Sequence, residues 1–333
     1  MDNDAVDSFI QTSIYVTDAT NIPVKLFSIY IIIFNTPKHL RQVSLFILNE
    51  TIWNLFVNFM FCFGSMLPLM PSQCYKFDGP ASRFLDAEFG GDLFYKLSFF
   101  GTVQCGAAIA LSFQFRYFVI CHHSKIRKIR PVWGYVYCVC FHCAFGLLYV
   151  LTVSLWEIPV ADYPLKSEIV GRTHIYCYNP GIQSKLMCVL ALCLIFLIYL
   201  LMVLHSFFCS FREMKKHELI LSAETVKMQR TVLWNLVVLS SIPIFMGALP
   251  LLAEEIFIFF RYIPNAKLIF GILMLITLNH GTLYGIVTLC VFKEYRKATK
   301  RFFIGLLGRL KKTGDAPSVT VTAVVNIKAN KPK

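Results

Sequence analysis

The chain has 333 residues, of which 56% are hydrophobic and only 15% charged, and it carries a net charge of +13. A soluble protein of this size has about 25% charged residues, so the composition excludes a water-soluble domain and indicates a membrane protein. The positive charge does not point to nucleic acid, because most Lys and Arg sit in short stretches between long apolar runs, where membrane proteins retain them on the cytoplasmic face.

The apolar runs fall at about 14–36, 43–69, 95–120, 132–156, 184–208, 231–260 and 266–292. The last six each reach the ~20 residues that a helix needs to cross a hydrocarbon core of ~30 Å. Lipid offers the backbone no hydrogen bonds, which leaves helices or a closed barrel. Stretches such as 190–204 (LALCLIFLIYLLMVL) lack the two-residue alternation of barrel strands. The expectation is an all-α membrane protein, a bundle of seven transmembrane helices.

The first run is the weak one. Asp18, Asn21, Pro23 and Lys25 interrupt it, and Lys25 is expected to snorkel toward the membrane surface. The second run ends at Pro68 and Pro71, and the sixth contains Pro243 and Pro250 on one face, which predicts a kink. Residues 1–13 are expected to be extracellular, 14–292 to form the transmembrane domain, and 293–333 to be a cytoplasmic tail. The start of that tail reads as a short amphipathic helix lying on membrane lipid.

Charge sets the expected orientation. With the amino terminus outside and the carboxyl terminus inside, 23 Lys and Arg fall on inner segments and eight on outer ones. The first twenty residues hold four Asp and no Lys or Arg. That acidic start lacks the basic n-region of a cleavable signal peptide, so the first helix is expected to act as its own signal. Of the twelve cysteines, Cys74 and Cys177 fall in outer loops and form a candidate disulfide. Asn49-Glu50-Thr51 matches a glycosylation sequon but lies inside the second helix.

Glu50, Asn54 and Asn58 share one face of the second helix at i, i+4 and i+8. They are either hydrogen-bonding glue between helices or an intramembrane polar switch, with Asn279 and His280 of the seventh helix as expected partners. Cys138, Cys140, His142 and Cys143 have the composition of a metal site. On a helix they spread around the axis, so no metal is expected, and the fourth helix is read as apolar packing. No glycine-rich phosphate loop, zinc motif or nucleophile elbow is present, so neither a cofactor nor an enzymatic activity is indicated. The polar face of the second helix leaves one alternative, a channel or transporter subunit with a polar path. The absence of an internal repeat weighs against a transporter.

Five pieces, in order, resemble the nematode serpentine chemoreceptors, most closely serpentine receptor class H. The first helix exits through Phe34-Asn-Thr-Pro-Lys38. The second carries Trp53 and then Asn58, where that family tends to have Asp. The third ends in Phe113-Gln-Phe-Arg-Tyr117, the sixth is led by Lys227-Met-Gln-Arg230, and the seventh holds His280-Gly281 and closes on Lys293-Glu-Tyr-Arg296. Gln114 departs from the family's acidic residue beside the arginine, and Glu294 from its proline. The motifs N-P-x-x-Y and C-W-x-P of rhodopsin-like receptors are missing.

The resemblance implies a GPCR-like bundle in the plasma membrane, in particular of a sensory cilium, that binds an external small-molecule ligand and signals to a heterotrimeric G protein. Pairing with a second receptor is a candidate assembly. By depth and polarity the ligand-pocket candidates are Gln104, Trp156, Tyr178, Met246 and Glu254. The candidate G-protein contacts are Arg116, Tyr117, Lys125, Arg127, Lys215, Lys216 and Arg230.

Overall fold

Seven helices are long and apolar enough to cross a membrane. In the computed structural model, which describes residues 3–126, 128–217, 223–260 and 262–314, they are α1 (Asn3–Asn35), α2 (Arg41–Gly64), α3 (Ala87–Cys121), α4 (Pro131–Ser154), α5 (Ile182–His217), α6 and α7 (Ala266–Val291). Helix α6 runs as Ala223–Pro243, a π-helical turn Ile244–Ala248, and Leu249–Phe259. An eighth helix, α8 (Lys293–Gly314), packs its Phe302 and Phe303 on Phe27 of α1. The expected contact residue Arg127 and the last residues of the tail, 315–333, lie outside the described residues.

Several ends differ from those expected of the sequence. Helix α1 starts at Asn3 rather than near 14, so the first described residues are helical. Its polar residues do not break the helix and are buried against α2 and α7. Helix α2 stops at Gly64, five residues early, where Ser65 adopts a left-handed conformation with φ 40°. Helix α3 starts at Ala87 rather than 95. The Asp86 side chain caps it by accepting from the backbone N–H of Glu88 (3.0 Å) and Phe89 (3.2 Å). Its first turns look like a loop because Gly90 and Gly91 sit there, yet both must be small. A Cβ at Gly91 would stand 2.1 Å from the Tyr176 ring. Helix α5 continues to His217 and α6 begins at Ala223, so much of the expected loop between the fifth and sixth spans is helical.

The expected all-α architecture is supplemented by a small antiparallel sheet at one end of the bundle. Strands β1 (Met66–Pro68), β2 (Cys74–Phe77), β3 (Glu157–Ile158) and β4 (Ile175–Tyr178) lie in the order β1-β2-β4-β3. Cys74 pairs with Cys177 in the register, and the two form a disulfide. The sheet turns an aromatic face to the helices. Tyr75 stacks on Tyr176 (5.6 Å between ring centres), and Tyr178 sits between Trp156 (4.6 Å) and Tyr95 (4.8 Å). Desolvation pushes the pKa of the Tyr75, Tyr176 and Tyr178 hydroxyls above the ordinary phenol value, so this face is neutral.

Two apolar clusters fill the bundle. One lies beneath the sheet around Val57, Tyr95, Tyr149, Ile195 and Met274. The other lies at the opposite end around Ile31, Leu40, Phe113, Leu236 and Tyr295. Helices α4 and α5 turn exposed faces such as Leu147, Leu151, Leu190, Leu194, Leu197 and Leu201 outward, as lipid contact requires.

Candidate functional site

Three places in the bundle hold the candidate residues. The first is a buried polar core between α1, α2 and α7. Glu50, Asn54 and Asn58 point into it from α2. Asn54 Nδ2 donates to Glu50 Oε1 (2.7 Å), and Asn58 Nδ2 donates to Asp18 Oδ1 of α1 (2.6 Å). Lys25, 0% exposed, donates from Nζ to Asn58 Oδ1 and to the Asn54 carbonyl (3.2 Å). The expectation that Lys25 snorkels outward is thus overturned. Unmatched α2 oxygens and Asp18 make the interior the better place for its amine.

Asn58 brings no charge where the resembling family tends to carry an acid, and Asp18 supplies a carboxylate beside it. Asn21 Nδ2 reaches the Leu278 carbonyl of α7 (3.3 Å), and Tyr284 of α7 lies near Glu50. Gly281 admits this approach, since a Cβ there would meet Asn54 Oδ1 at 2.4 Å. Asn279 does not join the core. It turns away and donates to its own Leu275 carbonyl (2.8 Å). His280 hydrogen-bonds with the Thr277 carbonyl and packs against Gly247 in the π turn of α6.

From the sequence Asp18, Asn21 and Lys25 of α1 read as interruptions, and Ser28 was not singled out. Their spacing of 3, 4 and 3 residues is a helical face, and that was the signal available. Sequence reasoning also missed a second polar link. His142 of α4 pairs its Nδ1 with Gln104 Oε1 of α3 (2.5 Å) and its Nε2 with Asn49 Nδ2 of α2 (3.0 Å). The fourth helix is therefore tied in by a histidine as well as by apolar packing. Among the described residues no group of His, Cys, Asp and Glu is placed to hold a metal ion.

The second place is a narrow cavity beneath the sheet, bounded by α2, α3, α6 and α7. Phe61, Tyr75, Tyr95, Phe99, Phe270, Met274 and Thr277 line it together with Glu254, and it has a volume of about 20 Å³, room for one water. Of the five pocket candidates only Glu254 lines it. Trp156 and Tyr178 belong to the aromatic layer above, where Trp156 Nε1 donates to the Asn179 carbonyl (2.9 Å) and Tyr178 Oη to Asp92 Oδ1 (3.1 Å). Gln104 faces α4 instead, bound to His142. Met246 packs with the apolar cluster of the opposite end. For Gln104 the face of the helix was not legible, and for Met246 the depth was not.

The third place is the far end of α3. Arg116, 7% exposed, donates from Nη1 to Gln229 Oε1 of α6 (3.2 Å), and its Nε has no partner. Gln114 points the other way and accepts from Tyr137 Oη of α4 (2.8 Å), so the pair formed by the arginine is with α6. Tyr117 Oη hydrogen-bonds with His122 Nε2 (3.1 Å), and its ring lies 5.7 Å from His205 of α5. Lys125 and Arg230 are exposed nearby in sequence, Lys215 lies over the Phe211 ring (5.1 Å), and Lys216 pairs with Glu213 (3.0 Å).

A family model described as serpentine type 7TM GPCR chemoreceptor Srh matches residues 5–305. No curated protein matches the chain. Among solved structures, the crystal structure of squid rhodopsin is similar with a TM-score of 0.64 at 14% identity, over 92% of this chain and 88% of that one. At that identity the likeness is one of fold.

Proposed function

The chain belongs to the Srh family of serpentine seven-transmembrane GPCR chemoreceptors, and from that premise we propose that it binds an external small molecule in the cavity beneath the sheet and signals to a heterotrimeric G protein at the opposite end. Family and fold alike are those of receptors rather than enzymes, and the chain is a multi-pass membrane protein. In this reading the amino terminus and the sheet face outward, and α8 and the tail face inward. The distribution of 23 inner against eight outer basic residues supports it, as does a disulfide on the sheet side, where conditions are oxidising. The plasma membrane is the site of action, and for a chemosensory role the ciliary membrane of a sensory neuron.

One observation carries the proposal. Helix α6 contributes Glu254 to the cavity and Gln229 to the Arg116 contact, and its π turn lies between them. A π turn flanked by Pro243 and Pro250 is a local weakness in an otherwise regular helix. A ligand that fits one packing of α6 better than the other shifts the balance between them, and about 1–3 kcal/mol of such coupling is typical. Movement of the lower half of α6 separates Gln229 from Arg116 and frees the guanidinium, with Tyr117, for an intracellular partner. The exposed bases Lys125 and Arg230, together with Lys215 and Lys216, surround that opening with positive charge. Glu50, Asn54 and Asn58 act here as the fixed side against which α6 moves. The channel alternative gains nothing from the geometry, since the path it needs is filled by Lys25 and Asp18.

Arg116→Ala tests the proposal in cells that express the chain with a reporter of calcium or cyclic nucleotide and are given a panel of small odorants. The expected variant reaches the cell surface at the wild-type level and loses evoked signalling by at least tenfold. Full signalling from Arg116→Ala removes the arginine from the partner contact.

A further inference from the structure

We propose that the cavity takes a small organic amine and that Glu254 is the counter-ion of its ammonium group. This rests on the cavity being the ligand site and names the chemical class that the site selects. Glu254 is 4% exposed and its Oε1 has no hydrogen-bond partner. No Lys or Arg among the described residues forms an ion pair with it. Acids at the rim of the bundle are matched differently. Asp7 meets Lys267 at 2.5 Å, and Asp92 meets Lys96 at 2.6 Å.

A carboxylate removed from water without a cation is costly, and structural acids acquire a partner for that reason. Glu254 lacks one and borders a cavity. The other walls suit a cation as well. Tyr75, Tyr95, Phe99 and Phe270 surround the space with rings, and ring faces attract an ammonium group. Glu255 follows directly and lines the adjoining compartment, which shares Phe99, Thr102 and Leu251 with the first. Its Oε2 is likewise without a partner, so a cation entering either compartment meets an acid able to become its counter-ion.

An alcohol can donate to Glu254 but leaves the charge uncompensated, so an amine is preferred over the alcohol of the same shape. Besides Glu254 the lining offers only the neutral hydroxyls of Tyr75, Tyr95, Thr102 and Thr277, a poor replacement for the carboxylate, carbonyl and water shell of a hard metal cation. As it stands the cavity admits one water. The amine opens it by displacing Met66 and Met274, whose unbranched thioether chains repack easily.

The test is thermal unfolding of the purified full chain in lipid nanodiscs. The probes are two matched pairs, phenethylamine with 2-phenylethanol and 3-methylbutylamine with 3-methylbutan-1-ol, with sodium chloride at equal ionic strength as the salt arm. At least one amine is expected to raise Tm by several degrees at saturation, at a concentration tenfold or more below that of its alcohol. Glu254→Gln keeps the shape, and it is expected to raise the amine concentration required by tenfold or more while leaving the alcohol response unchanged. If that variant does not fold, Phe270→Leu replaces it, with a several-fold loss for the amine alone. Amines no better than alcohols, no shift with either amine, an undiminished shift in Glu254→Gln, or the same shift from sodium chloride would each overturn the assignment. The outcome is separable from the receptor reading. Unfolding reports amine binding without a G protein, and the odorant assay responds to ligands of any charge.

Discussion

The two flanks of the bundle are held in different ways. On one, α1, α2 and α7 meet through Asp18, Lys25, Glu50, Asn54 and Asn58, with Asn21 bonded to the α7 backbone and Gly281 letting Asn54 close in. On the other, α3 meets the lower half of α6 through Arg116 and Gln229, a charged donor on a neutral acceptor at 3.2 Å, below a π turn. Interlocking buried hydrogen bonds leave few alternative packings, because every partner of a displaced group is stranded. A lone bond beside a helical irregularity can be exchanged for a bond to water or to another protein at little cost. A receptor needs both, one flank as a fixed reference and one that gives.

The comparison breaks most sharply at Lys25. Lys25→Met keeps the length of the side chain and removes the donor that Asn58 Oδ1 and the Asn54 carbonyl share. It leaves Asp18 and Glu50 buried in the bundle interior without that group. Removing one partner of a buried charged cluster costs about 3–5 kcal/mol, so thermal unfolding in nanodiscs should show a large fall in Tm and poor delivery to the surface. A Tm unchanged within a degree or two would mean that this flank is no lock. A smaller break is expected at Gly281→Ala. The new Cβ overlaps the Asn54 side chain, and overpacking of this kind costs about 1–3 kcal/mol. The same unfolding assay reads it, and Gly134→Ala on α4, with open space around it, serves as the reference with almost no loss.

What the sequence disclosed of these flanks depended on how local each signal is. The seven spans were legible because apolar length belongs to one segment. The polar face of α2 was legible because Glu50, Asn54 and Asn58 recur at helical spacing. Asp18 and Lys25 were visible too, but their partners lie 29 to 40 residues away, so each read as an interruption rather than as half of a contact. His142 was obscured for the same reason, since Asn49 and Gln104 sit on other helices. The strands, two to four residues long, carry no period of their own and exist through pairing and the Cys74–Cys177 bond. Glu254 was found because an acid deep in an apolar run is costly wherever it faces. Gln104 was misplaced because depth says nothing about which side of a helix meets a cavity, and Met246 because it packs with the cluster of the opposite end.

The smallest expected effect on stability, and the finest test of the contrast, lies at Gln229. Gln229→Ala removes the acceptor of Arg116 and leaves the rest of the α3–α6 seam in place. A hydrogen bond to a charged group contributes about 1.5–3 kcal/mol at most. Gln229 is half-buried, so water replaces part of this and Tm should move little. Signalling should move more. If that bond biases α6 toward the closed packing, its loss shifts the two-state balance, and a change of about 1.4 kcal/mol alters the population ratio tenfold. Basal reporter activity is therefore expected to rise several-fold without odorant, whereas Gly281→Ala should lower stability and leave basal activity flat. Should Gln229→Ala leave basal activity at the wild-type level while Arg116→Ala still silences the receptor, the arginine serves the partner contact alone, and the restraint on α6 has to be sought in the π turn.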